Sequence, residues 1–211
     1  MFKLSIYPRF KHKTLTVIEI SLTDEEIQKC LENGKKRTEI DEEKLGWKYR
    51  HHGLPSPLAH AVGFMGETGF EKWLVSEGLE RDRDYVRGER FVERLQDIRQ
   101  DYHILCKEVG VKTARNAGLD EATKWGTFLY PAKKEVGEAK RVLPYPDYLV
   151  QTVVSQSEKK CWLCGYVDRD TITHSPVKTV VSKPAHAIAI ESYRPVDELL
   201  RKLGWSQLSR W

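Results

Sequence analysis

At 211 residues and 24.5 kDa, with 40% hydrophobic content, the chain can build one domain with its own core and is not a disordered tail. Thirty-five basic residues against 31 acidic ones leave a net +4, which excludes a histone-like polycation and still allows a local basic face. No run of about 18 apolar residues exists, so no membrane span or membrane partner is expected. The N-terminal "MFKLSIYPRFKHKTL" is broken by charges and by Pro8, unlike a signal peptide, so a soluble cytoplasmic protein is expected.

Residues 14–20, "TLTVIEI", read as a strand rich in β-branched side chains. A helix follows over "SLTDEEIQKCLENGKKR", with Thr23 and Glu26 as a capping box and Ile27, Cys30 and Leu31 as its apolar face. Residues 38–57, charged and turn-rich with His51, His52, Pro55 and Pro57, read as a mobile loop. Ser56 and Pro57 open a second helix, Pro standing at the first helical position, and Gly78 stops it. Its three internal glycines each disfavour the helix by about 1 kcal/mol, which points to close approach of a neighbour or a local break.

"RDRDYVRGER" is a charged turn region, and "FVERLQDI" and "YHILCKEVGVKT" read as two strands of an antiparallel hairpin. "AKKEVGEAKR" is a polar helix candidate. "DYLVQTVVS" and "CWLCGYV" form the next strand pair across the turn "QSEKK", and "AHAIAI" is a last strand. "RPVDELLRKLG" closes the pattern as a helix from Pro195 to Gly204. One domain over 1–211 is expected, α/β or α+β, with a mixed central sheet flanked by helices.

Of the cysteines, Cys161 and Cys164 alone form a close pair. Zinc ribbons need a second pair, and on a strand positions three apart face opposite ways, so buried free thiols are the expectation. Trp47, Trp73, Trp125 and Trp162 read as core or interface residues before base-stacking ones.

The stretch "DIRQDYHILCKEVGVKTAR" holds the chemistry. An aspartate, Asp97, precedes an alternating strand that ends in Lys112. One carboxylate and a strand carbonyl can hold Mg²⁺, and the lysine can orient or deprotonate an attacking water.

With its flanks, this stretch resembles the PD-(D/E)XK nuclease superfamily, the restriction-endonuclease-like fold. "GFMGETGFEKWL" is similar to the first core helix, where a glutamate, here Glu67, faces the metal. Asp97 resembles the metal-binding aspartate, with Asp101 as its substitute, and "VGVKT" resembles the strand ending in the catalytic lysine, Lys112. "DYLVQTVV", "CWLCGYVDRDTI" and "AHAIAIESYRPVDELL" resemble the trailing elements of small phage and archaeal members.

The resemblance implies Mg²⁺-dependent hydrolysis of DNA, with Mn²⁺ as a substitute, by an endonuclease first, with exonuclease mode left open by the sequence. RNA stays open as a substrate, and a homodimer is expected if both strands of a duplex are cut. The expected ligands are Asp97, Glu67 and the Val111 carbonyl, with Glu108 as a further candidate and Glu71 as a neighbour or substitute of Glu67. Gln151, Thr113 and Arg115 are expected to contact substrate. One position departs from the pattern: where an acidic residue stands two before the lysine, this chain has Gly110. A carboxylate from elsewhere replaces it, or the domain is a catalytically idle one that binds nucleic acid or a partner protein.

Overall fold

A computed structural model describes residues 7–45, 50–51, 54–79, 101–115, 118–132, 135–136, 141–142, 144–180 and 183–205. The strands are β1 (Arg9–His12), β2 (Leu15–Ser21), β3 (Arg50–His51), β4 (Leu54–Pro55), β5 (Tyr102–Ile104), β6 (Lys107–Arg115), β7 (Thr127–Pro131), β8 (Glu135–Val136), β9 (Arg141–Val142), β10 (Tyr148–Ser155), β11 (Lys160–Asp168), β12 (Val177–Val180) and β13 (Lys183–Ala189). The helices are α1 (Asp24–Leu45), α2 (Ser56–Ser76), α3 (Leu119–Thr123), α4 (Arg169–His174) and α5 (Asp197–Lys202).

Strand alternation sorts the core into two halves on either side of one sheet. Ile18 and Ile20 of β2, Val150 and Val154 of β10, and Cys161 and Leu163 of β11 pack with Met65, Phe70 and Trp73 of α2 and Leu199 of α5. Leu15, Val17, Leu149, Val153, Trp162 and Cys164 face the other way, against Phe128, Tyr130, Ile172 and Ile188. Cys161 and Cys164 therefore lie in different halves of the core, as their spacing predicts, and all four cysteines are free thiols, Cys106 alone being exposed.

The sheet runs β1-β2-β11-β10-β6-β5. It is mixed: β6 and β10 are parallel, while the other neighbours are antiparallel. A three-stranded sheet, β12-β13-β7, covers the face away from α2. Both faces of β10 and β11 are buried, which is why their sequences are largely apolar, with Gln151 and Thr152 as polar exceptions within β10. Among the described residues no helix is long and apolar enough to cross a membrane.

Several local expectations change. The helix of 21–37 continues to Leu45, so the loop expected over 38–57 is helix at its start and the small β3–β4 pair near its end. Thr38 is buried there and its hydroxyl donates to the Gly34 carbonyl at 2.9 Å, tying the added turns to the helix. "YHILCKEVGVKT" is itself a hairpin: β5 and β6 turn at Leu105 and Cys106, with φ of 47° and 62°. Two successive positive φ values fit the two-residue turns that match the twist of paired strands. The strand expected at "FVERLQDI" lies outside the described residues. "AKKEVGEAKR" is not a helix where described, since β8 and β9 pair there.

The capping box forms as expected: Glu26 N–H donates to Thr23 Oγ1 at 3.1 Å and Thr23 N–H to Glu26 Oε2 at 2.7 Å. The close approach expected at the α2 glycines is met at two of three. A Cβ on Gly66 would overlap the Thr113 hydroxyl and stand 2.5 Å from that of Thr152. One on Gly69 would stand 2.8 Å from Cys161 Cβ, whereas Gly63 has nothing within 4 Å.

Candidate active site

The β5–β6 hairpin sets the geometry. Tyr102 pairs with Val109 and His103 with Glu108, so Asp101, one residue before β5, comes opposite Gly110. Its Oδ2 accepts the Val111 N–H at 2.6 Å. On a strand, a residue's N–H and C=O leave on the same side. The Val111 carbonyl therefore fronts the side on which the Asp101 carboxylate stands. Two hard oxygen donors on one side of a strand suit Mg²⁺, which keeps several waters and takes few protein ligands. Among the described residues no three His, Cys, Asp or Glu side chains close into a metal cage.

Alternation divides the other candidates between the faces of the sheet. Val109 and Val111 pack in the half of the core under α2, and Ala114 packs in the other half. Lys112 thus belongs to the face away from α2, with Gly110 and Glu108. In the parallel register Lys112 is partnered by Gln151, and Gly110 by Leu149. Gln151 is 2% exposed and its amide nitrogen donates to the Thr152 carbonyl at 2.9 Å, a buried amide satisfied beside the lysine.

Glu67 stands on α2, over the opposite face, and its carbonyl accepts the Tyr102 hydroxyl at 3.0 Å. The structure therefore draws Asp101, Val111, Lys112 and Gln151 into one neighbourhood and leaves Glu67 and Glu71 on the helix covering the other side. The Glu108 N–H donates to Asp147 Oδ2 at 2.9 Å, which ties the start of β6 to the start of β10. Thr113 turns toward α2, where its hydroxyl accepts from Thr152 Oγ1 at 2.9 Å beneath Gly66. That places it in the helix–sheet contact, away from the Lys112 face. Arg115 ends β6, with its side chain outside the described residues, as is all of Asp97.

A further group came without a signal in the sequence. Tyr130 of β7, buried in the second half of the core, lies in the field of Asp101. Burial first, then the charge of Asp101 and the neighbouring Tyr145, push its hydroxyl well above the ordinary tyrosine pKa, so it stays a protonated donor. The Tyr145 hydroxyl donates to the Ala132 carbonyl and lies 2.7 Å from His186 Nε2. His186 Nδ1 is 3.1 Å from the Ser175 carbonyl; a carbonyl only accepts, so that nitrogen carries the hydrogen. These residues are far apart in sequence and meet only because β7 and β13 pair, with Tyr130 and His186 as partners.

Neither the family models, nor the curated proteins, nor the solved structures contain a match to this chain.

Proposed function

We propose that this chain is a metal-dependent nuclease with a restriction-endonuclease-like core, hydrolysing phosphodiester bonds of DNA, and that Asp101 takes the part expected of Asp97. The observation that carries the reading is the hairpin register, with Asp101 across from Gly110 and Lys112 two residues further on the same face. A mixed sheet with α2 on one face and β10 parallel to β6 supports the fold reading. Asp101 and the Val111 carbonyl would hold the cation. When bound, Mg²⁺ or Mn²⁺ polarises the phosphate and lowers the pKa of a bound water. Lys112 would orient the attacking water and offset the charge gathering on the phosphate. Gln151, already satisfied, fixes the floor beside the lysine.

Supercoiled plasmid, linear duplex and single-stranded DNA incubated with Mg²⁺, Mn²⁺ or EDTA provide the test. Metal-dependent cleavage that disappears in Lys112→Ala and Asp101→Asn supports the reading. Cleavage that survives Asp101→Asn and disappears in Asp97→Asn returns the ligand to Asp97. A second reading, an idle domain that binds nucleic acid, is favoured by Gly110 and by the Asp101 carboxylate being engaged with a backbone amide. DNA binding in EDTA with no cleavage in either metal would select it.

A further inference from the structure

Three polar contacts meet between β7, β13 and the end of α4, and a neutral histidine does not bring enough hydrogens for all of them. His186 is 5% exposed. Its Nδ1 lies 3.1 Å from the Ser175 carbonyl and its Nε2 lies 2.7 Å from the Tyr145 hydroxyl. That hydroxyl in turn donates to the Ala132 carbonyl.

The last bond follows from a proline. The Ala132 N–H donates to the Pro184 carbonyl at 3.1 Å. Residues that face each other this way in an antiparallel pair ordinarily exchange two such bonds. Pro184 has no N–H to return, so the Ala132 carbonyl takes its hydrogen from Tyr145 instead. Burial pushes the Tyr145 hydroxyl above the ordinary tyrosine value, so it keeps that hydrogen.

Each contact needs a hydrogen: one towards Ser175, one towards Ala132, and one between Nε2 and the Tyr145 oxygen. Neutral imidazole brings one and the tyrosine brings one. Whichever tautomer is drawn, one contact among these described residues is left as two facing lone pairs. Imidazolium brings two hydrogens, and then every contact is made. Nδ1–H donates to Ser175, Nε2–H to the Tyr145 oxygen, and the hydroxyl to Ala132. Bonds from a charged donor are also the stronger kind.

We propose that His186 and Tyr145 form a proton-operated latch, closed by the imidazolium and opened when that proton leaves. It joins the segment leading into β10 to the three-stranded sheet, and it does not rest on the nuclease reading. Tyr130 on β7 and Val177 on β12 are the cross-strand partners of His186. Lys178 and Lys183 stand an odd number of positions from Val177 and His186, and so on the other face of that sheet. His174, exposed at the end of α4, holds its Nδ1 2.8 Å from the Asp170 carbonyl. The charge of Asp101 reaches Tyr130, and a carboxylate on this side favours a cation. A proton held more tightly by the folded chain than by the unfolded one stabilises the fold on the acid side, and the contribution is lost as pH rises. The histidine range, about pH 5 to 8, sets the window.

The test is long-range proton–nitrogen NMR of the histidine rings across that range, with the exposed His174 as an internal reference. His186 should keep both ring nitrogens protonated at a pH where His174 is already neutral. Pro184→Ala supplies the missing N–H to Ala132 and frees the tyrosine hydrogen for Nε2. It should move the His186 transition down by about one pH unit or more, tenfold in proton affinity. Tyr145→Phe removes the acceptor of Nε2–H and should move the transition the same way, while His174 stays put in both variants. Pro184→Ala leaves all the side chains of the latch in place, so it decides the matter if Tyr145→Phe does not fold. A His186 that is neutral together with His174 in the wild type overturns the latch. So does a His186 transition that stays unmoved in the variants. The gap in thermal melting between wild type and Tyr145→Phe should narrow as pH rises, and a gap independent of pH also overturns it.

Discussion

Helix α2 carries three glycines whose replacement by alanine should move stability in opposite directions. Alanine is preferred to glycine in a helix interior by about 1 kcal/mol. At Gly63 nothing lies within 4 Å of the added methyl, so the whole gain should appear and Gly63→Ala should stabilise by about 1 kcal/mol. At Gly66 the methyl meets the paired hydroxyls of Thr113 and Thr152, whose bond is 2.9 Å. Overpacking there costs roughly 1–3 kcal/mol, and the displaced hydrogen bond about 1 kcal/mol. Against the helix gain, Gly66→Ala should destabilise by about 1–3 kcal/mol. Urea denaturation with a common m-value measures both changes. Thr113→Ala in the Gly66→Ala background should recover part of the loss, and a double-mutant cycle isolates that coupling. Equal signs for Gly63→Ala and Gly66→Ala, or no coupling to Thr113, would refute the packing argument.

At the candidate site, Asp101→Asn and Lys112→Ala should each lower metal-dependent cleavage by roughly 100-fold or more, read from initial rates on plasmid. Asp168 caps α4, its Oδ1 accepting the Thr171 N–H at 2.9 Å and the Thr171 hydroxyl at 2.7 Å. Those bonds, with Arg194 nearby, hold its carboxyl below its ordinary 3.8. A depressed carboxyl stabilises the fold above that ordinary value and loses the contribution as pH falls through the folded pKa. Asp168→Ala should therefore destabilise by about 1 kcal/mol near neutral pH, and the gap to wild type should narrow below about pH 4 in acid titrations of unfolding. Burial raises the Cys161 and Cys164 thiols, while Cys106 is exposed at a hairpin tip. A thiol reagent should thus label one cysteine quickly in the native protein, absent in Cys106→Ser, and four after unfolding.

Elements whose pattern states their burial were legible in the sequence. β10 and β11 are apolar on both faces and read as strands, and the Thr23–Glu26 box marked the start of α1. The far end of α1 was missed because "EIDEEKL" has little apolar periodicity, although its residues favour helix. The β5–β6 turn was missed because Leu105 and Cys106 occupy positive φ where Asn or Gly would have announced it. That turn bears on the site: the register brings Asp101 opposite Gly110, while Asp97 lies outside the described residues. Tyr130 and His186 were beyond reach, since a partnership between β7 and β13 leaves no local trace. The split of candidates between two faces follows from alternation alone, yet which face α2 covers depends on packing around Gly66.

The seating of β2 against β11 has a consequence for synthesis. The Glu19 carboxylate bonds the Trp162 indole, 143 positions later in the chain. At 5–20 residues per second, the first hairpin waits on the order of 10 s on the ribosome for its partner strand. During that wait the charged β1, "RFKH", guards one edge of the hairpin. The other edge, apolar and unpaired, stays open to whatever nascent or chaperone surface reaches it first.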